Sequence, residues 1–169
     1  LRLVEKLPLE ASYVALGHRW GQEDSEKKDL CTFGNIDSLL RGFSMVSMPL
    51  LYKDAVIMTQ KLGTRYLWID SLCIVQNSKE HWAYECACMA QVYANSYLTI
   101  SAMSCRDSSQ GFLEVQPDFQ KLETGLVARG WAFQERLLSR RVLHFTSGDM
   151  VFECDYGTAY EGGLYSHRS

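Results

Sequence analysis

The sequence has little proline, no strong excess of charge and no long apolar run. Its 169 residues include three prolines, 17 basic and 20 acidic side chains, which leaves a formal net charge of −3. A membrane-spanning helix needs about 20 apolar residues, and the richest stretch, residues 66–75, is interrupted by Asp70 and Ser71. A nucleic-acid-binding domain needs clustered basic side chains. These absences exclude a membrane span and predict no nucleic-acid partner.

Motifs for metal binding and for nucleophilic catalysis are also missing. No CxxC pair, HExxH segment or GxSxG elbow occurs, and Cys86 and Cys88 point about 200° apart on a predicted helix, so we expect no metal site. The six cysteines mostly interrupt apolar segments, and no secretory signal is present. Free thiols in a reducing compartment are therefore favoured, and we expect a cytoplasmic protein.

The composition indicates a single domain over residues 1–169. Hydrophobic residues make up 47% of the chain and charged residues 22%, as in ordinary globular proteins. Residues 22–30 are polar and charged, and residues 112–125 lack periodicity, so both are predicted to be loops or junctions. Because the chain starts at Leu1 without a methionine, we expect it to be part of a longer protein.

Strand-like and helix-like segments alternate along the first hundred residues. Strands are predicted at 12–16, 65–70 and 97–101, and helices at 47–62 and 77–94, the second with Asn77 as its N-cap. A short helix at 131–138 and a hairpin of strands 141–145 and 150–154 follow. This order predicts an α/β fold with parallel strands, flanking helices and a C-terminal β-hairpin.

Ligands of open parallel sheets bind beyond the carboxyl ends of the strands. The segment 17–21 ends the first strand there, and its glycines, including Gly21, could let backbone amides approach a phosphate, with Arg19 adding charge. Two glycines without a fuller phosphate-loop pattern also fit a plain turn with Trp20 as a packed lid. Asp70 and Ser71 follow the second strand, where they can hold a ribose or cap the next turn.

Glu85 is the most informative residue of the second predicted helix. It lies three residues after Trp82 and four before Met89, which places its carboxylate within the apolar stripe of that helix. Burial of an unpaired carboxylate is unfavourable. Glu85 is therefore either paired with an arginine or backbone amide, or held ready for chemistry. On the short helix at 131–138, Arg136 is expected to pair with Glu85 or Asp70.

Five blocks of the sequence resemble fungal heterokaryon incompatibility (HET) domains in content and order: residues 13–21 (YVALGHRWG), 48–55 (MPLLYKDA), 62–76 (LGTRYLWIDSLCIVQ), 82–93 (WAYECACMAQVY) and 129–138 (RGWAFQERLL). The third block is the most specific. The first block departs from the family, because Gly17 and His18 stand where relatives usually have Ser-Tyr. A ligand contact made by that Ser-Tyr pair would be missing here.

The resemblance implies an effector of fungal non-self recognition and cell death, attached to sensor or repeat domains and forming homo-oligomers on activation. It also implies a flavodoxin-like sheet similar to that of TIR domains, some of which cleave NAD at the nicotinamide–ribose bond with a helix glutamate. Glu85 is the counterpart by this similarity. Supporting roles then fall to Asp70 or Ser71 on the ribose, to Trp20 or Trp82 stacking on a ring, and to Arg19 or Arg136 on phosphate.

NAD is then a substrate, and no cofactor is required. Two other hypotheses remain open. The domain is a non-enzymatic module that signals by self-association, with Glu85 as a buried structural acid, or it binds a nucleotide without turnover.

Overall fold

A computed structural model describes residues 1–20, 30–102, 104–113, 135–146 and 149–167. Seven strands form one sheet in the order β2-β1-β3-β4-β5-β6-β7. The described elements are β1 (Tyr13–Gly17), α1 (Ile36–Arg41), a 3-10 turn (Met45–Ser47), α2 (Leu50–Lys61), β2 (Tyr66–Ile69), α3 (Asp70–Cys73), α4 (Lys79–Asn95), β3 (Leu98–Ala102), β4 (Arg141–Phe145), β5 (Met150–Cys154), β6 (Gly157–Tyr160) and β7 (Tyr165–His167).

The first four strands of the sheet are parallel and the rest are antiparallel. β1 pairs with β2 on one side and with β3 on the other, and β3 pairs with β4 in the same direction. β4 and β5 form the predicted hairpin, which β6 and β7 extend by two further antiparallel strands. The α/β class is confirmed, whereas the extension beyond β5 was not predicted.

The two faces of the sheet bury different helices. Val14, Leu16 and Ile100 belong to the main core, together with Leu51 and Ala55 of α2. Because strand side chains alternate between faces, the residues between them point toward α4 and residues 135–138, which are helical. Tyr93 and Glu135, described below, lie on this second side.

Helix ends follow local capping chemistry, with one error in the prediction. Gly63, with a φ of 71°, follows α2 and provides the predicted left-handed stop. Ser78, rather than Asn77, caps α4, because the Ser78 hydroxyl accepts a hydrogen bond from the His81 amide at 3.2 Å. The Asn77 side chain instead accepts a hydrogen bond from the Phe33 amide at 3.0 Å.

Several predictions concern residues that lie outside the described ranges. These are residues 22–29 and 114–125 of the predicted loops, and the first four residues of the helix predicted at 131–138. All six cysteines are free thiols, as predicted. None of the described helices combines the length and apolar character needed to cross a membrane.

Candidate functional site

The carboxyl ends of the parallel strands bring the predicted segments to one edge of the sheet. Leu16 is paired with Ile69, so the residues after β1 lie beside Asp70, which begins α3. Gly17 is paired with Ser101 of β3. The structure therefore brings together, at the end of three adjacent strands, the segments that sequence analysis assigned to a ligand site.

Asp70 both begins α3 and holds an aromatic side chain. Its Oδ1 accepts a hydrogen bond from the Ser71 amide at 2.7 Å, and its Oδ2 accepts one from Nε1 of Trp20 at 2.8 Å. Nδ1 of His18 lies 3.6 Å from Oδ1. The indole of Trp20 is thus fixed beside the carboxylate, while 37% of the residue remains exposed.

Ser71 belongs to a buried network rather than to the open edge. Its hydroxyl lies 2.7 Å from the Tyr52 hydroxyl, which in turn lies 3.2 Å from Nε2 of His18. The rings of His18 and Tyr52 also make an edge contact, with centroids 5.3 Å apart. His18, one of the two departures from the usual family sequence, therefore links β1 to α2 and α3.

The apolar stripe predicted for α4 is largely absent. Among its residues only Tyr93 is buried, and Trp82 is 49% exposed. The Glu85 side chain is 23% exposed, and its Oε1 lies 3.8 Å from Nε2 of His81, one turn earlier. The expected arginine partner of Glu85 is not found among the described residues.

The charges of Glu85 and Asp70 nevertheless act on the same two thiols. Burial raises the pKa of the Cys86 thiol, and the negative charges of Asp70 and Glu85 raise it further. Both carboxylates also act on Cys73, whose pKa burial raises to about 12. Two acidic side chains from different helices, Asp70 of α3 and Glu85 of α4, therefore both exert their charge on these thiols.

Glu135 is the functional candidate that sequence analysis missed. A Cβ placed on Gly17 would lie 2.5 Å from Oε2 of Glu135, so this carboxyl group sits directly over the end of β1. Glu135 also lines a cavity of about 130 Å³ with Cys86, Met89 and Tyr93. No local pattern marks Glu135, because its burial arises from packing against segments far away in the chain.

The environment of Glu135 favours the neutral acid. Burial raises its pKa from 4.5 to about 8, the nearby Asp70 charge contributes in the same direction, and a hydrogen bond with Tyr93 opposes both. Glu135 is consequently protonated at neutral pH. A buried carboxyl group with a raised pKa is a recurring feature of sites for acid–base catalysis.

The backbone of Glu135 is anchored to the sheet. The Ser139 amide and hydroxyl donate to the Glu135 carbonyl at 3.1 and 2.7 Å. The Ser139 hydroxyl also lies 2.7 Å from that of Thr99 in β3. On the opposite wall, the Tyr93 ring packs edge-on against Trp68, with centroids 5.6 Å apart. The acid is therefore held between two fixed elements.

The family model of the heterokaryon incompatibility protein (HET) matches residues 13–124. The chain belongs to the HET family. Membership indicates a role in fungal heterokaryon incompatibility and the cell death that accompanies it. No curated protein and no solved structure matches the chain.

In this HET domain, Arg136 does not pair with Glu85 or Asp70, and that prediction is wrong. Its Nε and Nη2 donate to the two oxygens of Glu153 at 2.7 and 3.1 Å, which forms a bidentate ion pair with β5. Nε2 of His144 lies 3.2 Å from the same carboxylate. The cause is directional, since Arg136 follows Glu135 on the helix and points along the sheet toward the antiparallel strands.

Two predicted ligand residues remain, Arg19 and Gly21, and the structure describes only Arg19. Arg19 is partly exposed next to Trp20, whereas Gly21 lies outside the described residues. The described part of the HET chain contains no group of three or more His, Cys, Asp or Glu side chains arranged to hold a metal ion.

A larger cavity, of about 610 Å³, lies on the α2 side of edge strand β2. Its lining is mainly apolar, with Arg2 and Arg65 as its charged side chains and no carboxylate or histidine. Its other titratable side chains are Tyr66 and Cys73. The smaller cavity is the candidate active site, because the buried carboxyl group of Glu135 lines it.

Proposed function

We propose that this HET domain promotes cell death by hydrolysing the nicotinamide–ribose bond of NAD at the carboxyl edge of its sheet. The proposal rests on the place of Asp70 at the carboxyl end of β2, where it holds Trp20, and on the negative charges of Asp70 and Glu85, which both act on Cys86. Membership of a family linked to cell death supports the biological role. The resemblance to TIR domains supplies the reaction.

The reaction needs a negative charge close to the ribose. When the C1′–N bond breaks, its electron pair stays with nicotinamide, which leaves as a neutral molecule, and positive charge develops on the ribose. Glu85 is the carboxylate that stabilises this charge. Water then adds to C1′, and the proton that it loses passes to Asp70 or to solvent.

The surrounding side chains provide surfaces for the rest of NAD. Trp20, fixed by its hydrogen bond to Asp70, and the half-exposed Trp82 offer aromatic faces for stacking. Arg19, the neighbour of Trp20 in the sequence, is the side chain proposed for phosphate. Arg136 is bound through Nε and Nη2 to Glu153 of β5 and is not assigned to phosphate.

The test is nicotinamide release by clustered protein. The domain is fused to a tetrameric coiled coil and incubated with NAD, and free nicotinamide is measured by chromatography for the native sequence and for Glu85→Gln. We expect release to fall by about 100-fold or more in the variant. Glu80→Gln, an exposed carboxylate on the same helix, is the matched control and is expected to behave like the native protein.

Unchanged release in Glu85→Gln would remove this residue from the mechanism. A folded, clustered native protein that releases no nicotinamide would overturn NAD hydrolysis itself. Circular dichroism spectra of all variants establish that they are folded.

A second candidate function is supported by exposed aromatic side chains on α4. Trp82 is 49% and Tyr84 is 67% exposed, which suits contact with a second copy of the domain. Under this alternative, Tyr84→Lys abolishes self-association in sedimentation experiments, and also abolishes killing of fungal cells, while NAD levels in those cells stay constant. Tyr156→Lys, in an exposed turn, is the control.

A further inference from the structure

The site contains a proton donor that NAD cleavage does not need. Nicotinamide leaves its ribose as a neutral molecule, so no acid has to protonate it. Glu135 nevertheless lies over the end of β1, where a Cβ on Gly17 would lie 2.5 Å from its Oε2. A neutral carboxylic acid held in a crevice calls for a leaving group that must be protonated.

The cavity beside Glu135 has the character of a binding site for a flat heterocycle. It measures about 130 Å³, and its walls are Cys86, Ala87, Met89, Ala90, Tyr93, Glu135 and Leu138. Glu135 is its single acidic group. A pocket with mainly apolar walls and a few polar groups, here the side chains of Glu135, Tyr93 and Cys86, orients an aromatic base, and Glu135 offers it a proton.

We propose that this crevice also hydrolyses the N-glycosidic bond of purine nucleosides and nucleotides, with Glu135 as the acid that protonates the departing base. The activity uses the same edge of the sheet as the proposed NAD hydrolysis but does not depend on it. Purines are the matching class because their ring nitrogens accept a proton before the bond to ribose breaks.

Each proton and electron pair that moves in this hydrolysis has a donor and an acceptor among Glu135, Asp70, the substrate and water. Glu135 transfers its proton to a purine ring nitrogen, and the C1′–N bond breaks with its electron pair moving to the base. Water adds to C1′, and the proton that it releases passes to Asp70, whose charge acts directly on Glu135. The products are the free base and the ribose or ribose phosphate, and Glu135 is reprotonated from Asp70 or solvent.

Paired substrates test the inference. The clustered protein is incubated separately with ATP, adenosine and NAD between pH 6 and pH 9.5, and free adenine and nicotinamide are quantified by chromatography. Adenine release is expected to decrease about tenfold per pH unit above the pKa of Glu135, about 8. Glu135→Gln is expected to lower adenine release by about 100-fold or more. Glu161→Gln, on an exposed turn, leaves it unchanged.

Each outcome bears on one proposal or on both. Nicotinamide release without adenine release overturns the purine activity and leaves NAD hydrolysis intact. Adenine release without nicotinamide release overturns NAD hydrolysis and leaves the purine activity intact. Adenine release that persists in Glu135→Gln, or that shows no decrease at alkaline pH, overturns the role of Glu135. A folded and clustered protein that releases neither base overturns both activities.

Discussion

Oε2 of Glu135 occupies the space that a side chain on Gly17 would fill, since a Cβ there would lie 2.5 Å from that oxygen. Gly17 does not have a positive φ, so its backbone conformation is open to any residue. The glycine is required for space alone. The carboxyl group of Glu135 thus occupies the space beside Gly17 at the carboxyl edge of the sheet.

Gly17→Ala is predicted to move the Glu135 carboxyl group toward solvent. The end of a flexible side chain can shift, so we expect a loss of stability below about 1 kcal/mol. The pKa of Glu135 should fall from about 8 toward its ordinary value. Carbon-detected NMR titration of the carboxyl group measures this change. Gly162→Ala, where an added Cβ meets nothing within 4 Å, is the control, and an unchanged Glu135 titration in Gly17→Ala would contradict the argument.

Glu135→Gln is predicted to remove a pH dependence of stability. The folded pKa of about 8 lies above the ordinary value of 4.5, so between these values the folded state binds more protons than the unfolded state. The free energy of unfolding of the native protein should therefore fall as pH rises from about 4.5 to about 8. Urea denaturation at several pH values is expected to show a flatter profile for Glu135→Gln, and the native slope for Glu161→Gln.

Tyr93→Phe is predicted to raise the pKa of Glu135 above about 8. Its hydroxyl lowers that pKa through a hydrogen bond, which phenylalanine cannot make. The same NMR titration measures the shift, with Tyr84→Phe on the exposed side of α4 as the control. A lower pKa in Tyr93→Phe would show that the hydroxyl stabilises the neutral acid instead.

Arg136→Ala is predicted to destabilise the fold near neutral pH by about 1–3 kcal/mol, because the mostly buried Glu153 loses two charge-assisted hydrogen bonds. Burial acts to raise the pKa of Glu153, but the hydrogen bonds from Arg136 and His144 outweigh it and hold that pKa below its ordinary value. The stability that the ion pair contributes is therefore fully present above the ordinary pKa of a glutamate. It is lost as pH falls through the lowered pKa of Glu153.

Urea denaturation of Arg136→Ala and Glu153→Gln, alone and combined, measures the coupling between the two residues. Arg140→Ala removes an exposed arginine close by and is expected to have little effect. Additive losses in the double variant would show that the ion pair contributes nothing.

Asp54→Ala is predicted to destabilise the protein by about 1–3 kcal/mol per amide left without its partner. The buried Asp54 accepts hydrogen bonds from the amides of Phe112 and Leu113 at 2.7 and 3.0 Å, which ties the segment after Gly111 to α2. Thermal unfolding and hydrogen exchange at both amides measure the loss. Lys53→Ala on the same helix is the control, and equal effects would contradict a specific role for Asp54.

Much of the fold follows from local patterns. The strand at Tyr66–Ile69 is a short apolar run, and α2 lies between Pro49 and the left-handed Gly63, so chain-local chemistry determines both. The α3 turn was not predicted, because four residues carry too little periodicity to distinguish it from the end of β2. Strand β7 was not predicted either, because its three residues are all exposed and too few to show a periodic pattern.

The candidate site likewise has some features that follow from the sequence and others that depend on the tertiary structure. The sequence alone determined the α/β alternation, the membership of a known family, and the meeting of the segments after β1, β2 and β3, since parallel strands place their carboxyl ends at one edge. The tertiary structure decided that Glu135 is the buried acid at this edge and that Arg136 forms its ion pair with Glu153. Glu135 and Gly17 are 118 positions apart in the printed sequence, and desolvation depends on what packs around a carboxyl group in space, which no sequence spacing records.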